Sequence, residues 1–132
     1  MSEPRPTVLV VEDEFLIREW TADYLAESGF TVHSVGDVQE AIRLLGSRTQ
    51  VDLVFTDITL PGGVSGFDLV QWIRENQPGL PVVLTSGGHN ATKAAEVCAD
   101  LPFVSKPYDL SDLARKFRAL LTKGTLMPTR PK

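Results

Sequence analysis

The chain has 132 residues, of which 42% are hydrophobic and 23% charged, a length that suits one globular domain and is too short for two. Its formal net charge of -4 argues against nucleic acid as the main partner, because duplex binding depends on a basic patch. The sequence has no apolar run of membrane-spanning length and no signal-peptide core, and its single cysteine, Cys98, excludes an internal disulfide, so we expect a cytoplasmic protein without a membrane partner.

The first half of the chain alternates apolar runs with amphipathic stretches. Residues 1–6 contain two prolines and are expected to be a flexible lead-in. Ile17, Trp20 and Tyr24 recur at helical spacing, which predicts that they pack inward, and Asp37 can cap a second helix. The predicted elements of this half are strands at 7–11 and 30–35 and helices at 15–28 and 38–45.

The second half repeats this alternation. An apolar run at 51–57 ends in an acid before Pro61, and a last helix begins at Asp109 or Ser111. The stretch 90–99 has only small residues at the helical spacing that would face the core. It therefore buries little apolar area and should be the loosest helix. The predicted elements are strands at 51–57, 81–85 and 103–105 and helices at 67–76, at 90–99 and after 109.

Five strands therefore alternate with five helices. This order predicts an α/β fold with a parallel five-stranded sheet, helices on both faces and right-handed crossovers. We expect the domain to span residues 7–122, with 123–132 as a flexible tail.

Chemically reactive side chains follow four of the five strands. In open α/β sheets, ligands bind outside the carboxyl ends of the strands, so we expect these side chains to lie together. They are Glu12 and Asp13 after the first strand, Asp57 at the end of the third, Ser86 after the fourth and Lys106 after the fifth.

This set of residues predicts phosphoryl chemistry. Three carboxylates in one crevice repel, so either one is protonated or a cation lies among them. An acidic site of oxygen ligands suits Mg²⁺, which leaves room for phosphate oxygens. Lys106 and Ser86 could hold the remaining oxygens of a phosphoryl group, with Asp57 as the nucleophile that takes it.

At these residues, including the pair Lys106-Pro107, the chain resembles the receiver domain of two-component response regulators in bacteria. The resemblance covers about residues 7–122. It implies a doubly wound, flavodoxin-like sheet of strand order 2-1-3-4-5, the order of the chemotaxis receiver. It also implies a cis peptide bond between Lys106 and Pro107.

The resemblance further implies a role for each site residue. Asp57 would be phosphorylated by a histidine kinase or a histidine phosphotransfer protein. Asp13, Asp57 and the main-chain carbonyl of Thr59 would bind Mg²⁺, and Glu12 would help through water. Lys106 would pair with the acceptor or with its phosphoryl oxygens. Such a domain is a signalling phosphoacceptor rather than an enzyme, although it phosphorylates and dephosphorylates itself.

Ser86 and Phe103 would form the switch that responds to phosphorylation. Their rearrangement would change the surface of the fourth helix, fifth strand and fifth helix toward a downstream protein partner. Phe103 lacks the hydroxyl of the commoner tyrosine, which argues against a signal based on a tyrosine hydrogen bond. One residue is inserted between Pro61 and Gly66, as in receivers that work with hybrid kinases.

Two other functions stay open at this point. One is a receiver-fold interaction module that no longer needs phosphate. The other is a phosphatase like the haloacid dehalogenases, although that family wants an aspartate where Thr59 stands. The sequence also leaves open a homodimer that forms on phosphorylation, and whether the chain acts alone, as a phosphorelay shuttle or within a hybrid kinase.

Overall fold

Five parallel strands form one sheet in the order β2-β1-β3-β4-β5. They are seen in a computed structural model of the chain that describes residues 5–60, 65–87 and 100–126. The strands are β1 Thr7–Val11, β2 Thr31–Val35, β3 Leu53–Asp57, β4 Val82–Ser86 and β5 Phe103–Ser105. The predicted parallel fold and its strand order are confirmed.

Side-chain caps determine where several helices begin. Asp37 accepts a 2.8 Å hydrogen bond from the amide of Glu40, as predicted. Asp109, rather than Ser111, caps the last helix by accepting from the amide of Asp112 at 3.0 Å. The helices in the described part of the chain are α1 Phe15–Glu27, α2 Val38–Leu45, α3 Gly66–Asn76 and the C-terminal helix Leu110–Leu126.

Two predicted features lie outside the described residues. They are the loose helix at 90–99, which includes Cys98, and most of the loop with the inserted residue, at 61–64. The C-terminal helix continues to Leu126, beyond the predicted domain end at residue 122. The domain boundaries themselves stay a prediction.

Among the described residues, the core has two apolar clusters, one on each face of the sheet, because successive strand residues point to opposite faces. On one face Leu9, Val54 and Leu84 pack with residues of α2 and α3. On the other face Val10, Phe55 and Val83 pack with α1 and the C-terminal helix. With both faces covered, the central strands β3 and β4 each begin with three apolar residues, and their polar residues occupy the last two positions.

The orientation of α1 corrects one prediction. Thr21 and Leu25 are its buried residues, whereas Trp20 is 62% exposed, so its assignment as a packing residue was wrong. Trp20 precedes Thr21 and therefore lies about 100° around the helix from it. Tyr24 packs against the core, as predicted. The polar Thr21 takes the inward position because its hydroxyl has a partner, Tyr108, 3.0 Å away.

None of the helices in the described part of the chain has both the length and the apolar character that a membrane span requires.

Candidate functional site

The ends of the strands bring the predicted acidic residues and the lysine together at one edge of the sheet. Residues Glu12 and Asp13 follow β1, Asp57 ends β3, and Lys106 follows β5. The central pair is deeply buried, with Glu12 only 3% and Asp57 only 5% exposed. Such burial is unusual for carboxylates, which are seldom fully buried without a partner.

Lys106 is that partner for both buried carboxylates. Its ammonium nitrogen Nζ lies 2.6 Å from Asp57 Oδ2 and 2.6 Å from Glu12 Oε1. Burial acts to lower the pKa of Lys106, but the hydrogen bonds and charges of Asp57 and Glu12 outweigh it and raise the pKa above its ordinary value. The two carboxylates therefore favour the charged, ammonium form of Lys106.

Glu12 is in turn held by the chain around it. Burial raises the pKa of its carboxyl group, and the bond to Lys106 offsets part of this effect. Its Oε2 accepts a 3.0 Å hydrogen bond from the amide of Glu14, and its carbonyl accepts one of 2.8 Å from Arg18. Arg18 was not singled out in the sequence, because nothing in helical spacing indicates which charged residue of α1 turns back to the site.

Three acidic side chains could hold a metal ion here. Carboxylate oxygens of Glu12, Asp13 and Asp57 all lie within 4.8 Å of one another, and Asp13 is exposed. An all-oxygen donor set with one solvent-facing member fits Mg²⁺, which binds through one or two carboxylates and retains waters. The residues present thus fit the cation that the sequence predicts.

The other oxygen of Asp57 faces the loop that follows β3. Its Oδ1 accepts a 3.0 Å hydrogen bond from the amide of Thr59, a residue exposed at the surface. Asp57 is therefore fixed from two sides, by the Lys106 ammonium and by a backbone amide. The assignment of the Thr59 carbonyl as a metal ligand stays a prediction.

The two predicted switch residues lie on β4 and β5. Ser86 is buried at the end of β4, and its hydroxyl donates to the carbonyl of Gly87 at 3.2 Å. Phe103 pairs with Leu84 and packs, half-buried, against the apolar cluster on the α2 and α3 face. The backbone of β4 also meets the lysine directly, since the amide of Lys106 donates to the Ser86 carbonyl at 3.0 Å. The peptide bond between Lys106 and Pro107 is cis, as expected.

Two further residues contribute to the site in ways that the sequence did not indicate: Gly66 was noted only for the inserted residue before it, and Tyr108 was not singled out. Gly66, the first residue of α3, lies against the backbone of Asp57; a Cβ atom there would lie 2.9 Å from Ile58 Cα and 3.1 Å from the Asp57 carbonyl carbon. Tyr108 lies two residues after Lys106 and hydrogen-bonds to Thr21 on α1. Its only signal in the sequence is an aromatic residue immediately after Lys106-Pro107.

Comparison with known proteins extends this description. The response regulator receiver domain family matches residues 8–118. The two-component response regulator PhoP of Pseudomonas aeruginosa is 34% identical over 120 residues, which make up 89% of this chain and 52% of that protein. The chain spans about half the length of the curated relatives it matches.

Solved structures agree with the fold. The crystal structure of a response regulator receiver protein from Sinorhizobium medicae superimposes with a TM-score of 0.83 at 30% identity, covering 92% of this chain and 98% of that one. A receiver domain from Clostridium thermocellum gives a TM-score of 0.84 at 22% identity, over 92% of this chain and 98% of that one, which bears on the fold alone. With the family match covering most of its length, the chain belongs to the receiver domains of two-component response regulators.

Proposed function

We propose that Asp57 accepts a phosphoryl group in a Mg²⁺-dependent reaction. The observation that carries this proposal is the buried Asp57 carboxylate, held by Lys106 beside two further acids at the carboxyl edge of the sheet. Receiver domains interact with histidine kinases, so the donor is the phosphohistidine of a kinase or of a histidine phosphotransfer protein. Family membership does not favour a phosphate-independent module or a dehalogenase-like phosphatase.

The reaction is a displacement at phosphorus. A carboxylate oxygen of Asp57 forms a bond to phosphorus while the bond from phosphorus to the donor nitrogen breaks, and the electron pair leaves with the imidazole, which gains a proton. Small acyl phosphates would serve as alternative donors, and water would later release the phosphoryl group. These two reactions are the self-phosphorylation and autodephosphorylation included in the proposal.

Charge balance explains why a cation belongs to this proposal. Carboxylate oxygens of Glu12 and Asp57 lie within 4.8 Å of each other, and two unit charges at that distance repel by about 3.5 kcal/mol if the effective dielectric constant is about 20. One lysine compensates only one of the three carboxylates, and the incoming phosphoryl group adds further negative charge. Glu12, Asp13, Asp57 and the Thr59 carbonyl would hold Mg²⁺, which would neutralise charge on the transferring group. Lys106 would remain beside Asp57 to pair with a phosphoryl oxygen.

Ser86 and Phe103 would carry the change outward. Ser86 lies at the end of the strand next to Asp57, and its hydroxyl donates to the neighbouring Gly87 carbonyl, an interaction that a phosphoryl oxygen can replace. The output surface would comprise residues 90–99, β5 and the C-terminal helix, with a downstream protein or a second phosphorylated copy as its partner. A cytoplasmic location completes the proposal.

A phosphotransfer assay tests this function. The protein is incubated with Mg²⁺ and acetyl phosphate, and its intact mass should rise by one phosphoryl group. The Asp57→Asn variant should stay unmodified, whereas Asp52→Asn, a matched change just before the other end of β3, should be modified like the wild type. Modification of Asp57→Asn, or an unmodified wild type, would overturn the assignment.

A further inference from the structure

Tyr108 connects the Lys106 loop to α1. Its ring lies edge-on to Phe55 of β3, with centroids 5.3 Å apart and planes at 74°. Its hydroxyl lies 3.0 Å from Thr21 Oγ1. The contact therefore joins two segments that are 87 residues apart in the chain.

Thr21 occupies a core position that would ordinarily hold an apolar side chain. It is 1% exposed and lies one turn before the fully buried Leu25. A buried hydroxyl without a partner costs about 1–3 kcal/mol, so the buried Thr21 hydroxyl depends on that of the half-buried Tyr108. This hydrogen bond and the ring contact with Phe55 hold Tyr108 against α1.

The same arrangement restricts Lys106 from both sides. The amide of Lys106 bonds to the Ser86 carbonyl on β4, and two residues later the Tyr108 hydroxyl bonds to α1. The lysine side chain itself is long, and its Nζ must reach both Glu12 and Asp57 at 2.6 Å. Because the chain is held at the Lys106 amide and again at Tyr108, the flexible lysine side chain can project in fewer directions.

We propose that Tyr108 and Thr21 are positioning residues for Lys106, and that their hydroxyl contact sets the rate at which Asp57 takes a phosphoryl group. The proposal rests on the proposed role of Asp57 as acceptor. Its physical basis is that a displacement of about 1 Å in a reacting constellation can cost about a hundredfold in rate. Removing one hydroxyl relaxes the loop without removing any charged group, so we expect a loss of about tenfold.

The test compares Tyr108→Phe and Thr21→Val with the wild type and with Thr21→Ser, which keeps the hydroxyl. Phosphorylation by acetyl phosphate is measured over a range of Mg²⁺ concentrations. Both single variants should lose about tenfold in maximal rate with an unchanged half-saturating Mg²⁺ concentration, because the acidic side chains do not belong to this loop. Thr21→Ser should retain the wild-type rate, and the double variant should be no slower than either single one.

A spectroscopic readout separates this proposal from the function on which it rests. The ¹⁵Nζ ammonium resonance of Lys106, assigned by its loss in Lys106→Met, should broaden or shift in Tyr108→Phe and in Thr21→Val, whether or not the protein is phosphorylated. A wild type that takes no phosphoryl group would overturn the proposed function, and the resonance would then decide the positioning role. Three results would overturn the positioning role alone. They are an unchanged Lys106 resonance, wild-type rates in both variants, and equal losses of rate in Thr21→Ser and Thr21→Val.

Discussion

Gly66 begins α3 directly against the main chain of Asp57. Its amide donates a 2.8 Å hydrogen bond to the carbonyl of Ile58, and the space where a side chain would begin is filled by the backbone of Asp57 and Ile58. Backbone atoms cannot rotate away as the end of a long side chain can. The position of α3 and that of the acceptor residue are therefore linked through a residue without a Cβ atom.

Replacing Gly66 with alanine should destabilise the domain by about 1–3 kcal/mol, the usual cost of overpacking a filled site. Urea unfolding measures this change. Gly87→Ala is the matched control at the same edge, because a Cβ atom there meets Lys106 Cβ at an ordinary 3.7 Å and should change stability by no more than about 0.5 kcal/mol. Equal stability of the two variants would contradict the close packing at Gly66.

Magnesium should stabilise the folded protein. A ligand that binds only the folded state adds about 2.7 kcal/mol at a concentration one hundred times its dissociation constant. Thermal unfolding with excess EDTA and with increasing Mg²⁺ measures this gain. It should be much smaller for Asp13→Asn, which loses an acidic member of the cluster, and unchanged for Asp23→Asn on the exposed face of α1. A wild type indifferent to Mg²⁺ would argue against the metal site.

Alkaline pH should reduce the stability contributed by Tyr108. Burial raises the pKa of its phenol above the ordinary value of 10.0, and the bond to Thr21 offsets part of this. As the pH rises above 10.0, the phenol ionises in the unfolded chain before it does so in the folded protein, so the unfolded chain binds fewer protons. The contribution is thus fully present below pH 10.0 and is lost as the pH rises toward the folded pKa.

Tyr108→Phe should accordingly be less stable than the wild type by about 1 kcal/mol at pH 8, because it leaves the Thr21 hydroxyl without its partner. The difference should shrink as the pH rises above 10.0, where the unfolded wild type ionises before the folded protein. Urea unfolding of both proteins at pH 8 and at a pH above 10.0 provides the comparison. A difference that stays constant over this range would show that the phenol is not selectively kept neutral by the fold.

Truncation of two residues of α1 should change the stability of the domain by very different amounts. Leu25 is 0% exposed, so Leu25→Ala should cost about 2–5 kcal/mol of unfolding free energy. Trp20 is mostly exposed, so Trp20→Ala should change the free energy of unfolding by no more than about 0.5 kcal/mol, although the side chain removed is larger. A loss for Trp20→Ala that matches Leu25→Ala would restore the predicted packing role of the tryptophan.

The sequence alone predicted most of the fold and the membership of the acidic site. Strict alternation of strands and helices requires parallel strands, and parallel strands place their carboxyl ends at one edge whatever their side chains do. Glu12, Asp13, Asp57 and Lys106 were therefore expected together before any contact was known. The strand order came from the resemblance to receiver domains, because alternation by itself permits more than one order.

Only the tertiary structure decided how these residues meet. Lys106 bridges to Glu12 across 94 positions and Tyr108 bonds to Thr21 across 87, and no local pattern encodes such contacts. The rotation of α1 likewise depends on what faces it: a hydroxyl partner admits Thr21 to the core and leaves Trp20 in solvent. Periodicity identifies a helix and strand ends identify a site, but packing between distant segments selects which side chains face inward.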